Sequence, residues 1–203
     1  LVTPVVFWDA GGLTSNWEEA TNWSGDSLPA NGNFVITEAS QVDISTDVLP
    51  LLEAFAGVQL DGFDVNINPG GNLDVSGNLF NHTDNIDLIG SGTISGAGTL
   101  YNLSFLASTG TASSISINTI ENHSSIIWAE FISPAAASFT VSGDFNNFGT
   151  HWIFAPTPSS NTLNYNGTNG LVNNGYFEIS SSAGVQINGL LNSAFPTSGV
   201  SVA

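Results

Sequence analysis

Carboxylates are the side chains of this sequence that could most directly do chemistry. Two close pairs occur, Asp61 with Asp64 and Asp84 with Asp87. Carboxylate oxygens, with amide oxygens from asparagine, are ligands that Ca²⁺ prefers, so each pair is a candidate calcium site. Neither pair matches an EF-hand loop or the glycine-rich nonapeptide repeat. A solvated outer face would carry the same residues, and we favour that interpretation at each single site.

Histidines are the other candidate metal ligands, at His82, His123 and His151. Ordinary turn and strand positions explain them better, because two of them follow an asparagine at a turn and the third precedes Trp152. No Ser/His/Asp order, phosphate-binding loop or nucleophile elbow stands out. We therefore predict no catalytic residue, no enzyme activity and no cofactor other than the candidate Ca²⁺.

Three tryptophans lie close together near the start of the chain, at Trp8, Trp17 and Trp23. They could stack on sugar rings as an aromatic platform. They could also close the end of a repeat structure, because terminal repeats need a cap over their exposed strand edges. We favour the structural cap and keep glycan contact as the alternative.

The charge of the chain restricts its partners. The 203 residues include 17 Asp and Glu and no Lys or Arg, for a formal net charge of −17. Nucleic acid is a poor partner because nothing here can replace phosphate counterions, and anionic membrane surfaces are repelled. Copies of the chain also repel one another, so self-association needs cations, low pH or apolar burial that overcomes the repulsion.

Cysteine and methionine are both absent. Disulfides and a cytosolic redox role are excluded, and the lack of oxidisable sulfur suits an extracellular or cell-surface protein. No apolar run approaches the roughly 18 residues that span a bilayer, so we expect no membrane insertion. Chance alone would place about five Asn-x-Ser/Thr sequons in such a chain, so those present do not indicate glycosylation. They begin at Asn22, Asn81, Asn102, Asn122 and Asn166.

Short runs of alternating apolar and polar residues recur along most of the chain, and Gly, Asn, Ser or Asp separates them. Their spacing is roughly 22 residues, which indicates a repeat architecture. Asparagine returns after successive runs, and at a fixed corner its amides could hydrogen-bond up and down a stack of coils. This predicted corner ladder consists of Asn81, Asn102, Asn122, Asn147 and Asn173.

We predict an all-β fold, a right-handed parallel β-solenoid with coils of roughly 22 residues. An antiparallel β-sandwich is the alternative. Residues 1–32 form an N-terminal aromatic cap or edge segment, and 33–203 form the solenoid. Residues 46–57 could be a short helix, but we favour an irregular coil. Loops at 133–138 and 156–161 should project from the same corner.

The N-terminus contains spaced tryptophans, an Asn22-Trp-Ser-Gly step and Leu28-Pro29 before the first strand. In these features it resembles bacterial secreted β-helix surface proteins of the autotransporter-like and haemagglutinin-like kind. Later pieces such as Gly90–Leu100 and Asp144–Gly149 are similar to coils of the same proteins. The resemblance implies secretion and a β-helix, and it implies no catalytic residues.

These observations predict a secreted structural protein, a self-associating subunit of an extracellular filament, sheath or surface layer. Copies would join end to end, with the N-terminal segment Leu1–Trp8 adding a strand to a neighbour and the last coil offering an edge; the termini could instead pack on their own subunit. An adhesin or carbohydrate-binding module, with glycans as partners of the tryptophans or paired loops, is the alternative. A polysaccharide-active enzyme is less favoured, because solenoid lyases typically use Lys or Arg and this chain has neither.

Overall fold

The strands of this protein stack in register over most of its length. The structure is a computed structural model that describes residues 4–30, 32–37, 41–44, 55–62, 64–83, 85–108, 113–129, 138–155, 161–181, 185–189, 191–193 and 200–202. Apart from a single 3-10 turn at Ala20–Asn22, the regular structure of these residues is all β.

The strands are short in the first coils and longest in the middle ones. In chain order they are β1 Val5–Phe7, β2 Phe34–Thr37, β3 Val42–Ile44, β4 Phe55–Gly62, β5 Val65–Ile67, β6 Asn72–Thr83, β7 Ile86–Leu88, β8 Thr93–Asn102, β9 Phe105–Ser108, β10 Ser114–Asn122, β11 Ser125–Ala129, β12 Ser138–Val141, β13 Asp144–Asn147, β14 Thr150–Ala155, β15 Asn161–Tyr165, β16 Leu171–Asn173, β17 Tyr176–Ser181, β18 Val185–Gly189, β19 Leu191–Ser193 and β20 Val200–Val202.

Two parallel sheets contain these strands, one of 12 strands and one of 8. The chain passes from one sheet to the other and back, so each coil adds its strands beside those of the coil before. In the larger sheet the later coils use two short strands where the earlier coils use one, as in β12 and β13 against β10. The strands pair in parallel throughout the described residues. The prediction of a parallel β-solenoid is confirmed, and the antiparallel sandwich is excluded for this part of the chain.

Apolar side chains at equivalent positions of successive coils form columns inside the solenoid. One column runs through Leu79, Leu100, Ile120, Phe145 and Leu171, which occupy matching register positions and are fully buried. Because side chains alternate across a strand, the intervening polar residues face outward. Each buried side chain of this size stabilises the fold by about 1.5–3 kcal/mol.

The backbones of β6 and β8 come into very close contact at Gly77 and Gly98. A Cβ atom on Gly98 would lie only 1.4 Å from the carbonyl oxygen of Gly77. Glycine is therefore required at position 98 because the two coils touch through their backbones there.

The N-terminal strand, β1, pairs with a strand of its own chain. β1 pairs in parallel with β2, with Val5 opposite Phe34 and Phe7 opposite Ile36. Donation of this strand to a neighbouring copy stays a prediction.

Several sequence expectations fall mainly outside the described residues. Of the segment 46–57, only Phe55–Gly57 is described, and it begins β4. Of the two loops 133–138 and 156–161, only Ser138 and Asn161 are described, and they begin β12 and β15.

Candidate functional site

The corner asparagines form a continuous hydrogen-bonded ladder. The Nδ2 atom of each of the first four donates to the Oδ1 atom of the asparagine in the next coil, from Asn81 to Asn173, over distances of 2.7–2.8 Å. Asn173 Nδ2 donates to the Gly175 carbonyl at 3.1 Å. The second Nδ2 hydrogen of the first four donates to a backbone carbonyl of the next coil, in turn that of Phe105, Ser125, Thr150 and Tyr176.

The ladder is buried, and each of its first four amides donates both of its hydrogens. All five asparagines have no exposed surface. At its start the Thr83 hydroxyl and backbone N–H both donate to Asn81 Oδ1, at 2.7 and 3.1 Å. Buried amides whose donors and acceptors are matched stabilise a fold, because leaving one unpaired is costly. These side chains hold the corner together and face no solvent.

The three tryptophans pack against one another beneath the N-terminal end of the solenoid. Trp8, Trp17 and Trp23 are 3%, 3% and 0% exposed. Trp23 meets the other two edge to face, with ring centroids 5.0 and 4.5 Å apart, and its Nε1 donates to the carbonyl of Trp17 at 2.8 Å. No tryptophan of this cluster offers an open ring face to a sugar.

The same segment covers the first strand of each sheet. Ser24 donates its backbone N–H to the carbonyl of Phe7 in β1 at 2.8 Å. Beside the other sheet, Trp17 N–H donates to the carbonyl of Asp43 in β3 at 2.9 Å, and Asp43 N–H donates to the carbonyl of Ser15 at 2.7 Å. The segment thus occupies hydrogen-bonding positions that another strand would need.

Glu19 stabilises this cap by hydrogen bonds to residues 13 and 14. Its carboxylate accepts from the Thr14 hydroxyl and from the backbone N–H groups of Leu13 and Thr14. These hydrogen bonds, that of the Thr14 side chain above all, lower the pKa of Glu19 to about 2.

A histidine and a tyrosine are paired inside the core, an arrangement that the sequence analysis missed. His151 and Tyr165 are 0% and 1% exposed. The His151 ring stacks on Phe177 at 5.2 Å and meets Phe145 edge to face at 5.0 Å. Burial lowers the pKa of His151 to about 4 and raises that of Tyr165.

A signal for this pair exists in the sequence once the coils are aligned. His151 lies opposite Ile126 in one neighbouring coil and Phe177 in the other, both buried. A histidine in an otherwise apolar column must find an internal partner, and Tyr165 is that partner.

Three of the four candidate calcium ligands lie in the part of the chain that the structure describes. Asp61 lies at the end of β4, where Gln59 Nε2 donates to its Oδ2 at 2.5 Å. Asp64 precedes β5, Asp87 lies on β7, and Asp84 is outside the described residues. Among the residues that the structure describes, no three His, Asp or Glu side chains are grouped to hold a metal ion. The calcium sites therefore stay a prediction.

A row of exposed and half-buried side chains, most of them aromatic, follows the outer side of the asparagine corner. Phe80 and Tyr101 stack with centroids 5.0 Å apart, and so do His123 and Phe148 at 4.9 Å. The His82 ring is stacked 6.4 Å from Phe80. We call the row the aromatic face; its members are Phe80, His82, Tyr101, Leu103, His123 and Phe148.

The aromatic face is unusual in its charge. None of these six residues is acidic, but Glu121 aligns with Tyr101 and Asp61 aligns with His82 in the neighbouring strands. Glu121 Oε2 lies 3.4 Å from His123 Nε2. Because the chain has no Lys or Arg and His151 is buried, His82 and His123 are its only exposed side chains that can be positively charged. Both belong to this face.

A polar cleft of 240 Å³ lies at another corner of the solenoid. The loop Asn166–Gly170 forms one wall, and Asp144 of the preceding coil holds this loop. Asp144 accepts from the backbone N–H and the Nδ2 of Asn169, at 2.8 and 2.6 Å. The cleft is lined by Asn118, Ser142, Gly143, Asp144, Asn166, Gly167 and Thr168.

Comparisons of the chain with protein-family models, curated proteins and solved structures found no match. The resemblance to bacterial secreted β-helix proteins therefore stays a prediction. Within the described residues, no helix is long and apolar enough to cross a membrane.

Proposed function

We propose that the protein is a non-enzymatic structural β-solenoid of an extracellular surface, and that its copies associate side by side along the aromatic face. The observation that carries this proposal is the aromatic face itself. Leu103 and Phe148 are 42% and 48% exposed there, beside stacked rings, on a chain with a net charge of −17. Exposed apolar patches of this kind are typical of interaction surfaces.

Charge selects a second copy of the chain as the occupant. Any two copies repel one another through their carboxylates, and repulsion is least where carboxylates are fewest. Two carboxylates, Glu121 and Asp61, adjoin the aromatic face, in register with Tyr101 and His82. The imidazoles of His82 and His123 are the exposed side chains that can carry a positive charge to offset them. Cations that screen the remaining carboxylates would strengthen the contact.

The position of the N-terminal segment favours side-by-side contact over end-to-end contact. β1 already pairs with β2, and Ser24 and Trp17 occupy positions along the outer edges of β1 and β3. Strand addition at this end would require the cap to be displaced. End-to-end growth is therefore the second arrangement, and the experiment below separates the two.

Of the residues that the sequence offered for glycan contact, the tryptophans are described, whereas the loops 133–138 and 156–161 lie almost wholly outside the described residues. No residue was assigned to an enzyme activity. The tryptophans that a sugar would stack on are buried, and the corner asparagines direct their amides into the ladder. These polar and aromatic side chains hold the coils together, and this supports a structural role.

The test is the size of the purified protein, measured by light scattering and negative-stain microscopy, with Ca²⁺ and with chelator. We expect particles larger than the monomer, and we expect Leu103→Ser and Phe148→Ser to reduce their size. Leu13→Ser is the matched control, because Leu13 is 98% exposed and lies off the face.

Two results would contradict this arrangement. A monomer in every condition would remove self-association and direct attention to glycan arrays. Filaments that persist in both face variants would assign the contact to the ends of the solenoid instead.

A further inference from the structure

The five Asn-x-Ser/Thr sequons, which the sequence could not rank, differ in the burial of their asparagines. Asn22, Asn81, Asn102 and Asn122 are completely buried. Asn22 donates both Nδ2 hydrogens, to the carbonyls of Thr14 and Asn16 at 2.9 and 3.0 Å. The other three donate theirs within the ladder. An amide nitrogen that carried a sugar could make neither set of bonds, so these four positions must be unmodified in the folded protein.

Asn166 is the opposite case. Asn166 and Thr168 are both exposed, and no hydrogen bond from the Asn166 side chain is present among the described residues. The loop is longer than its neighbour: Val141 aligns with Tyr165 and Phe145 with Leu171, so two additional residues are accommodated between the strands. Asn-x-Ser/Thr on a surface loop of a secreted protein is the acceptor motif for N-linked glycans.

The loop is also held in place. Gly170 N–H donates to the Gly167 carbonyl at 3.1 Å, and Phe145 N–H donates to the Gly170 carbonyl at 2.9 Å. Asp144 fixes Asn169 from the other side. Asn166 therefore lies on a hydrogen-bonded loop at the rim of the 240 Å³ polar cleft. In this cleft, Asn118 and Ser142 supply hydrogen-bonding groups suited to the hydroxyls of a first sugar residue.

We propose that Asn166 is the N-glycosylation site of this protein. In the reaction, the Asn166 Nδ2 forms a bond to the anomeric carbon of an activated glycosyl diphosphate. The bond from that carbon to the diphosphate oxygen breaks, the diphosphate leaves with its electron pair, and Nδ2 loses one proton. This inference rests on the extracellular location in the proposed function.

The experiment is to secrete the full chain from a eukaryotic host that performs N-glycosylation and to measure its intact mass and peptide masses. Chymotrypsin replaces trypsin, because the chain has no Lys or Arg. We expect one glycan, on Asn166, and its complete loss in Asn166→Gln and in Thr168→Ala. Ser104→Ala and Ser124→Ala are matched controls, since they remove the sequons of Asn102 and Asn122 but keep the ladder amides; they should retain the glycan.

Three outcomes would overturn the inference: an unmodified Asn166, a mass change of deamidation alone, or a glycan on a ladder asparagine of the folded, secreted protein. Light scattering of Asn166→Gln separates this result from the proposed function. Self-association without a glycan would refute only the modification, and a glycosylated monomer would refute only the self-association.

Discussion

The Nε2 atom of His151 lies 2.6 Å from the hydroxyl oxygen of Tyr165 in the middle of the apolar core. The other ring nitrogen, Nδ1, lies 3.3 Å from the carbonyl oxygen of Ile126. A carbonyl can only accept, so Nδ1 carries the proton, Nε2 accepts, and the Tyr165 hydroxyl donates. The imidazole is neutral, and the pair satisfies both polar groups inside the core.

Acid should weaken the fold through His151. Its pKa of 6.5 in the unfolded chain falls to about 4 in the folded protein. Between these values the unfolded chain binds a proton that the folded chain does not, so the free energy of unfolding falls as pH drops through this window. The contribution of His151 is about 3 kcal/mol at most. Urea unfolding at pH 7 and pH 4 measures it.

The double variant His151→Phe/Tyr165→Phe separates the contribution of His151 to the pH dependence of stability from that of the carboxylates. We expect it to lose less stability than the wild type between pH 7 and pH 4. An equal loss in the double variant and the wild type would show that His151 does not set the acid limit.

Removing one rung of the asparagine ladder should destabilise the protein. Asn147→Ala leaves the Nδ2 of Asn122 without its acceptor and the Oδ1 of Asn173 without its donor. The expected loss in free energy of unfolding is about 3 kcal/mol, measured by chemical denaturation. Asn146→Ala, one residue earlier and facing outward, should change it by no more than about 0.5 kcal/mol. Similar values for both variants would mean that the ladder contributes little.

The tryptophan cap should matter for stability rather than for sugar binding. Trp23→Ala removes a fully buried indole and both of its edge-to-face contacts, so we expect a loss of about 3–5 kcal/mol. Thermal unfolding followed by circular dichroism measures the effect, with the exposed Leu13→Ala as control. Unchanged stability together with lost glycan binding would restore the glycan-platform interpretation.

Gly98→Ala tests the close backbone approach between β6 and β8. Because the added Cβ would meet the Gly77 carbonyl oxygen at 1.4 Å, the coils must separate locally, at a cost of about 1–3 kcal/mol. Ala97→Ser, at the exposed neighbouring position, should be nearly neutral. The midpoint of urea unfolding compares the two, and a neutral Gly98→Ala would contradict the spacing of these coils.

Periodic features were predictable from the sequence because each coil repeats the same pattern of apolar, polar and asparagine residues. Apolar residues alternate with polar ones in every strand, which predicts two-faced strands. Asparagine returns once per coil, so stacking the coils aligns residues such as Asn102 and Asn122, which form part of the ladder. The parallel solenoid and the ladder were both predicted from this spacing, with an antiparallel β-sandwich as the alternative fold.

Single, non-repeating features were decided only by tertiary structure. His151 and Tyr165 belong to different sheets and meet only because the fold brings the two sheets together around the core. The same sequon pattern is buried at Asn102 and exposed at Asn166, because one lies at a regular corner and the other on a longer loop. The sequence by itself determined the periodic fold and its acidic surface, through patterns that each coil carries locally. Burial, pairing and exposure of individual side chains depend on which coil lies above and below, and only the stacked structure decides them.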